Sequence, residues 1–259
     1  MKIRVGKFDV SYVEHGEGSP LLVLHGAGVD HRDPEAAFEP VLRDVAGFRR
    51  IYPDLPGMGR TPAPDDLSSG DDVLGLLLDF MTAIAGDRPT VLIGHSLGAY
   101  YAREMAARRP RDIAGLALFC PFGPGLRDVP ERRVVVGSGD MGDDTFRSYF
   151  VVHTAEMLDR YERFVKPATL LVDQSAMERI GQRWALSHAG GAGYAGPTLI
   201  VAGRADSTVG SAYAMDLLDD YSNGTLAVID DAGHALPHEQ PGLVGALVEE
   251  WMTRVQRAG

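Results

Sequence analysis

Short apolar runs recur along this chain, and the stretches between them have apolar residues at helical spacing. The apolar runs lack polar alternation, which is typical of strands that are buried on both faces of a sheet. Strands are predicted at residues 1–5, 8–13, 21–24, 49–52, 90–93, 113–119, 198–201 and 226–229, and helices at 34–45, 71–85, 99–109, 212–221 and 243–255. Alternating strands and helices predict an α/β fold, here a mostly parallel eight-stranded sheet with helices on both faces.

The rhythm changes in the middle of the chain. Helical stretches are predicted at residues 145–152, 155–164, 170–180 and 183–188, without a strand–helix repeat. Residues 134–136 could form a strand, but Gly137 and Gly139 follow, and no partner strand is visible. Residues 122–196 are therefore predicted to be a helical insertion into a core domain formed by residues 1–121 and 197–259.

Composition and charge narrow the classes of partner and compartment. The chain has 259 residues and a net charge of −11, which makes nucleic acid or an anionic membrane surface an unexpected partner. A single cysteine, Cys120, excludes an intrachain disulfide and fits a reducing compartment. No apolar run approaches signal-peptide or bilayer-spanning character. We expect a cytoplasmic monomer or homodimer that acts on a small molecule without a metal or cofactor.

The pentapeptide Gly94-His95-Ser96-Leu97-Gly98 lies between a predicted strand and a predicted helix. In that setting the pattern G-x-S-x-G indicates a sharp turn that exposes a serine hydroxyl above the sheet. Glycines suit both flanks because strand and helix crowd together there. Ser96 is therefore a candidate nucleophile, and the backbone amide of Leu97 is a candidate donor to an oxyanion.

A serine nucleophile needs a base and a carboxylate, and candidates for both follow the late strands. His234 comes just after the last predicted strand, and Asp206 comes directly after the strand at residues 198–201. Functional groups of α/β proteins assemble at this carboxyl edge of the sheet. The chain order serine, aspartate, histidine is characteristic of one architecture.

Residues Leu24-His25-Gly26-Ala27-Gly28 end another buried strand, and their small side chains would let a backbone amide approach a substrate. The amides of Ala27 and Leu97 are the predicted oxyanion hole. Cys120 ends a strand and is expected to be a buried filler rather than a nucleophile. Three other histidines are predicted to be solvated loop side chains: His15, His31 and His238.

Four signatures together resemble the α/β-hydrolase superfamily, in particular its lidded, cofactor-free, esterase-type serine hydrolases. The signatures are His25-Gly26-Ala27-Gly28, Asp54-Leu55-Pro56-Gly57-Met58-Gly59, Gly94-His95-Ser96-Leu97-Gly98, and Gly203-Arg204-Ala205-Asp206 with Gly233-His234. The tail Glu239-Gln240-Pro241 also follows the family's pattern. The resemblance covers residues 1–120 and 196–259, and it implies that the insertion is a helical lid. Met58, where relatives commonly carry histidine or another polar residue, and the loop at residues 29–37 depart from the pattern.

The resemblance implies hydrolysis of a small or medium ester, lactone or related acyl bond through Ser96, His234 and Asp206 and an acyl-enzyme. One alternative keeps the triad but cleaves a carbon–carbon bond or performs perhydrolase or haloperoxidase-like chemistry. An alternative of another class is a ligand receptor with little turnover. The residues predicted to line a substrate pocket are His95, Phe122, Phe146, Phe150, Met157 and Trp184.

Overall fold

A computed structural model describes residues 1–123, 125–187 and 193–258 of the chain. The strands are β1 (Lys2–Val5), β2 (Phe8–His15), β3 (Ser19–Leu24), β4 (Phe48–Pro53), β5 (Thr90–His95), β6 (Ile113–Phe119), β7 (Val136–Gly137), β8 (Val152–His153), β9 (Thr198–Gly203) and β10 (Gly224–Ile229). All except β7 and β8 form one sheet in the order β1-β2-β4-β3-β5-β6-β9-β10.

The sheet is parallel from β4 onward and antiparallel at one edge. β2 pairs antiparallel with both β1 and β4, while the other neighbours pair parallel. The predicted mostly parallel eight-stranded sheet is therefore confirmed. Because successive side chains of a strand point to opposite faces, Leu22 and Leu24 join one apolar core and Leu21 and Val23 join the other.

Helices cover both faces of the sheet. They are α1 (Arg32–Leu42), α2 (Gly70–Ala85), α3 (Leu97–Arg108), α8 (Ala212–Leu217), α9 (Leu236–Glu239) and α10 (Pro241–Ala258). α2 and α3 pack on one face through residues such as Phe80 and Tyr101, and α1 and α10 pack on the other through Phe38 and Trp251. Among the described residues, no helix has the length and apolar character needed to cross a membrane.

The segment between β6 and β9, here called the cap segment, adds no described strand to the eight-stranded sheet. It contains α4 (Asp144–Tyr149), α5 (Ala155–Arg160), a π-helical turn (Tyr161–Val165), α6 (Lys166–Thr169) and α7 (Gln174–Gly181). The helix expected at residues 145–152 ends at Tyr149, and Val152–His153 instead form β8. β8 pairs parallel with β7, which supplies the partner that the sequence did not reveal for Val136.

Two further helix boundaries in the cap segment differ from the prediction. α7 begins at Gln174 rather than at residue 170, because the Asp173 side chain accepts the Ala176 amide at 3.1 Å and caps the helix there. The prediction of a helix at residues 183–188 is wrong: α7 ends at Gly181, and the described residues 183–187 are not helical. His188 lies outside the described residues.

Replacing two helical glycines by alanine should change the free energy of unfolding in opposite directions. A Cβ on Gly98 would collide with the backbone carbonyls of Leu24 and His25, whereas a Cβ on Gly75 meets nothing within 4 Å. We expect Gly98→Ala to destabilise the fold by about 3 kcal/mol. Gly75→Ala, on an exposed face of α2, should stabilise it by roughly 0.5–1 kcal/mol. Urea unfolding of both variants measures the difference, and equal midpoints would contradict the strand–helix crowding at Gly98.

Candidate active site

Ser96 occupies the turn between β5 and α3 with a left-handed backbone, φ 52° and ψ −115°. Its own amide donates to the Phe119 carbonyl at 2.9 Å, which fastens the turn to the neighbouring strand. A Cβ on Gly94 would strike the Gly98 backbone, so the two glycines of the motif allow strand and helix to approach this closely. The turn is the strand–turn–helix elbow expected from the sequence.

The three residues predicted to act together lie in one hydrogen-bonded line. His234 Nδ1 lies 2.8 Å from Asp206 Oδ2, and His234 Nε2 lies 3.0 Å from Ser96 Oγ. An ionised carboxylate can only accept, so Nδ1 carries the proton and Nε2 accepts from the serine hydroxyl. Asp206 is fully buried, and its other oxygen accepts the amides of Thr208 at 2.9 Å and Val209 at 3.0 Å.

Electrostatics favour an ionised aspartate and a readily protonated histidine. Burial raises the pKa of Asp206, but the charge and hydrogen bond of His234 and the two amides outweigh it, so that pKa lies below its usual range. Burial lowers the pKa of His234, but the Asp206 carboxylate outweighs it and raises that pKa above 6.5. The pair therefore stabilises an imidazolium, which is what a general base needs after it has taken a proton.

His95 is buried beside the same histidine and stays neutral. Burial, followed by the neighbouring His234, lowers the pKa of His95 to about 4. Its Nε2 lies 2.9 Å from the His234 carbonyl, so Nε2–H donates there and supports the loop that carries His234. The thiol of Cys120, which is fully buried, lies 3.8 Å from the carbonyls of Gly233 and His234.

The loop after β3 approaches the serine closely because it lacks side chains. A Cβ on Gly26 would lie 3.4 Å from Ser96 Cβ. His25 holds the loop from below: its Nδ1–H donates to the Gly26 carbonyl at 2.7 Å, and its Nε2 accepts the Leu55 amide at 2.8 Å. Within the described chain, the amides of Ala27 and Leu97 donate to no protein acceptor.

Met58, which departs from the family's pattern, supports the same loop. The Gly28 amide donates to Met58 Sδ at 3.3 Å, a weak bond that fixes the glycine turn. The side chain is buried and adjoins, together with Leu97, an apolar void of only about 10 Å³. Met58 therefore fills apolar space beside Leu97.

Two of the three histidines expected to be solvated are not. His31 Nδ1–H donates at 2.7 Å to Asp54, whose carboxylate is buried and also accepts the amides of His31 and Arg60. His238 is fully buried and donates to Asp33 at 3.1 Å. That prediction is wrong because the partners are distant in sequence. His15 is half-exposed and pairs with Glu35 at 2.8 Å.

The cavity beside Ser96 has a volume of about 370 Å³ and a mixed lining of small, hydroxyl and imidazole groups. Its lining residues are Gly26, Ala27, Gly28, Val29, His95, Ser96, Thr145, Ser148, Tyr149, Val165, Thr169, Thr208 and His234. Of the six residues predicted to line a pocket, His95 is the one found in this lining.

The other five predicted pocket residues pack elsewhere. Phe146, Phe150 and Met157 form the apolar core of the cap segment with Tyr161 and Val165. Phe122 stacks on Tyr100 of α3 with ring centroids 5.3 Å apart, and Trp184 packs against both rings. Aromatic residues of the insertion therefore hold the segment together and to the core, which is the commoner use of such side chains.

Two described clusters contain metal-ligand side chains: His95 with Cys120 and His234, and Asp30 with His31 and Asp54. In the first, His234 is engaged with Ser96 and Asp206, and His95 with a carbonyl. In the second, Asp54 binds His31, and Asp30 binds Arg32 at 2.6 Å. These hydrogen bonds account for both clusters.

Two buried carboxylates near the site were not among the residues predicted from the sequence. Asp33, in the first turn of α1, is buried and accepts from His238 and, at 3.3 Å, from the hydroxyl of Tyr149 in the cavity wall. Glu239 is buried and accepts the Gly233 amide at 2.6 Å. The tail Glu239-Gln240-Pro241 was the available signal for Glu239. No local pattern marked Asp33.

Comparisons with known proteins identify the family of the chain. A sequence profile described as the alpha/beta hydrolase family matches residues 21–247. The chain is 29% identical to 2-hydroxy-6-oxononadienedioate/2-hydroxy-6-oxononatrienedioate hydrolase 2 of Pseudomonas putida, over 90% of this chain and 88% of the relative. It is 34% identical to a pimeloyl-(acyl-carrier protein) methyl ester esterase of Shewanella woodyi, over 39% of this chain and 35% of the relative.

A solved structure supports the same family and fold. An alpha/beta superfamily hydrolase from Oenococcus oeni PSU-1 superposes with a TM-score of 0.85 at 25% identity, covering 95% of this chain and 96% of the other.

The ring of His234 should titrate above the ordinary histidine pKa, since Asp206 favours its charged form. The His95 ring should stay neutral down to about pH 4. Ring-proton NMR across pH 3–9 would measure both midpoints. Replacing the carboxylate, as in Asp206→Asn, should lower the His234 midpoint. A His234 midpoint that is unchanged in this variant would contradict the charge coupling.

Proposed function

The chain belongs to the alpha/beta hydrolase family and is a hydrolase of that fold, and we propose that it is a serine hydrolase of small or medium uncharged esters, lactones or related acyl compounds. The observation that carries the proposal is the line from Ser96 Oγ through His234, at 3.0 Å, to Asp206, at 2.8 Å, on a serine with left-handed backbone. This arrangement supplies a nucleophile, a base and a group that orients the base.

The proposed reaction proceeds in two halves. His234 Nε2 takes the proton of the Ser96 hydroxyl as Oγ bonds to the carbonyl carbon, and the amides of Ala27 and Leu97 hold the oxyanion. The Leu97 amide begins α3, so the positive end of the helix dipole adds to this stabilisation. His234 then protonates the leaving oxygen, and the acyl group remains on Ser96. Water activated by His234 releases the acid and regenerates the serine.

The cap segment is proposed to be a lid, with the domain division expected from the sequence: residues 122–196 over a core of residues 1–121 and 197–259. Thr145, Ser148 and Tyr149 at α4 and Val165 and Thr169 near α6 line the cavity opposite the serine. This placement supports a segment that shapes the substrate site and limits the access of water.

The lining favours an uncharged substrate. No Lys or Arg is among the described residues that border the cavity. The Ser148 hydroxyl donates to the Thr145 carbonyl and the Thr169 hydroxyl to the Lys166 carbonyl, both within their helices, so their oxygens remain as acceptors. A substrate carboxylate would therefore be buried without a cationic partner, which is costly.

A second candidate is hydrolysis of a carbon–carbon bond on the same residues. The Pseudomonas putida relative, which matches over 90% of this chain, is named for the hydrolysis of a dienedioate. That name denotes a dicarboxylate, for which the described lining offers no cationic side chain. The candidate predicts faster turnover of a dienedioate than of any simple ester, and the main proposal predicts the reverse.

Removing the hydroxyl of Ser96 should abolish ester hydrolysis. Ser96→Ala and His234→Ala should each lower kcat for p-nitrophenyl butyrate by at least about 10³-fold, since both groups act in one step. Ser222→Ala, in an exposed turn before β10, is the matched serine control and should keep full activity. Ester turnover that persists in Ser96→Ala would overturn the proposal.

Charge on the acyl chain should decide the rate. p-Nitrophenyl butyrate and p-nitrophenyl hemisuccinate have the same chain length and differ by a terminal carboxylate. We expect kcat/KM to be about 10-fold or more higher for butyrate, because the unpaired carboxylate loses at least about 1.4 kcal/mol in the cavity. Equal values, or a preference for hemisuccinate, would exclude the uncharged substrate class.

A further inference from the structure

Glu239 is a buried carboxylate that binds three backbone amides. It lies in the last turn of α9, five residues after His234, and is 7% exposed. Its Oε2 accepts the Gly233 amide at 2.6 Å, and its Oε1 accepts the amides of Val151 at 2.6 Å and Val152 at 3.1 Å. Within the described residues it forms no ion pair with Lys or Arg.

The amides belong to two different parts of the site. Gly233 immediately precedes the base His234, while Val151 and Val152 follow α4 in the cap segment. The two segments also touch, because a Cβ on Gly233 would lie 2.6 Å from Val151 Cγ1. One carboxylate therefore joins the loop that carries the base to the segment that covers it.

Building on the proposed function, we propose that Glu239 is a positioning residue that couples the cap segment to His234, so that the two are held in place as one unit. A side chain with a single acceptor oxygen cannot serve both sides. Gln would satisfy one side and turn its amide hydrogens toward an N–H donor on the other. Loss of either side frees the backbone next to His234, and small displacements of a catalytic group are costly in rate.

The charge of Glu239 gives a signature that packing alone would not. The groups around His234 are Asp206 after β9, Asp33 on α1, His95 on β5, Cys120 after β6, and Glu239 itself, whose charge raises the His234 pKa. The charge of Glu239 also interacts with Cys120, with the neighbouring His238 and with Tyr149 of the cap segment.

Removing the negative charge of Glu239 disfavours the imidazolium of His234. The acid limb of the activity profile, which follows protonation of the base, should then move to lower pH.

The kinetic test compares Glu239→Gln with Glu250→Gln. Glu250 is an exposed glutamate of α10 whose only role in the described structure is an ion pair with Arg254. For p-nitrophenyl butyrate, we expect Glu239→Gln to lower kcat about 10-fold or more, with KM within about 2-fold and the acid limb at lower pH than in wild type. Glu250→Gln should have the same kcat, KM and acid limb as wild type. A Glu239→Gln variant with unchanged kcat and acid limb would overturn the proposal.

Hydrogen exchange tests the coupling without a substrate. In Glu239→Gln, peptides that contain Gly233 and peptides that contain Val151 and Val152 should both exchange faster by about 10-fold, while those of β5 keep wild-type rates. Faster exchange in only one of the two segments would overturn the coupling. This readout does not depend on turnover, so it tests the coupling alone. The hydrolase proposal is tested separately, by comparing the ester turnover of wild-type protein with that of Ser96→Ala.

Discussion

At Ser96 the chain leaves a buried strand and enters a helix. The φ of Ser96 is 52°, and such a backbone conformation destabilises a non-glycine residue by on the order of 1–3 kcal/mol. The fold sustains this cost because β5 is buried on both faces, Gly94 and Gly98 let the helix lie against it, and the serine amide binds the Phe119 carbonyl. The hydroxyl is thereby placed above the carboxyl edge of the sheet, within reach of groups from several strands. Asp206 and His234 reach the hydroxyl from the loops that follow β9 and β10.

Around the hydroxyl, the structure collects negative charge near one imidazole. Asp206 contacts His234 directly, and Asp33 and Glu239 add their fields from α1 and α9. Each of these buried carboxylates is held by hydrogen bonds: Asp206 by two amides, Glu239 by three, and Asp33 by a tyrosine hydroxyl and a histidine. Buried carboxylates without such donors would be expensive. This arrangement gives the His234 imidazole a preorganised environment for its charged form, and in the cap segment Tyr149, Val151 and Val152 donate some of these hydrogen bonds.

Much of this site follows from local sequence, and the rest depends on contacts that local sequence does not encode. Strands such as β5 are apolar runs because both faces are buried, and Ser96, Asp206 and His234 stand out because each follows a strand. The cap segment is different. Phe146 and Phe150 pack on each other rather than on the cavity, since aromatic spacing marks a buried helix face without saying what buries it. The partners of His31 and His238 are 23 and 205 residues away in the chain, so these hydrogen bonds could not be predicted from neighbouring residues.

The claim that Ser96 is a nucleophile activated by His234 is tested most directly by a fluorophosphonate probe and peptide mass spectrometry. Such a probe bonds to a serine only where a base activates it and an oxyanion site accepts the phosphonyl oxygen. One adduct per chain is expected, on the peptide that contains Gly94-His95-Ser96-Leu97-Gly98, with labelling slowed by at least about 10²-fold in His234→Ala. No adduct on Ser96 in folded wild-type protein, or a rate that is the same without the imidazole, would contradict the account.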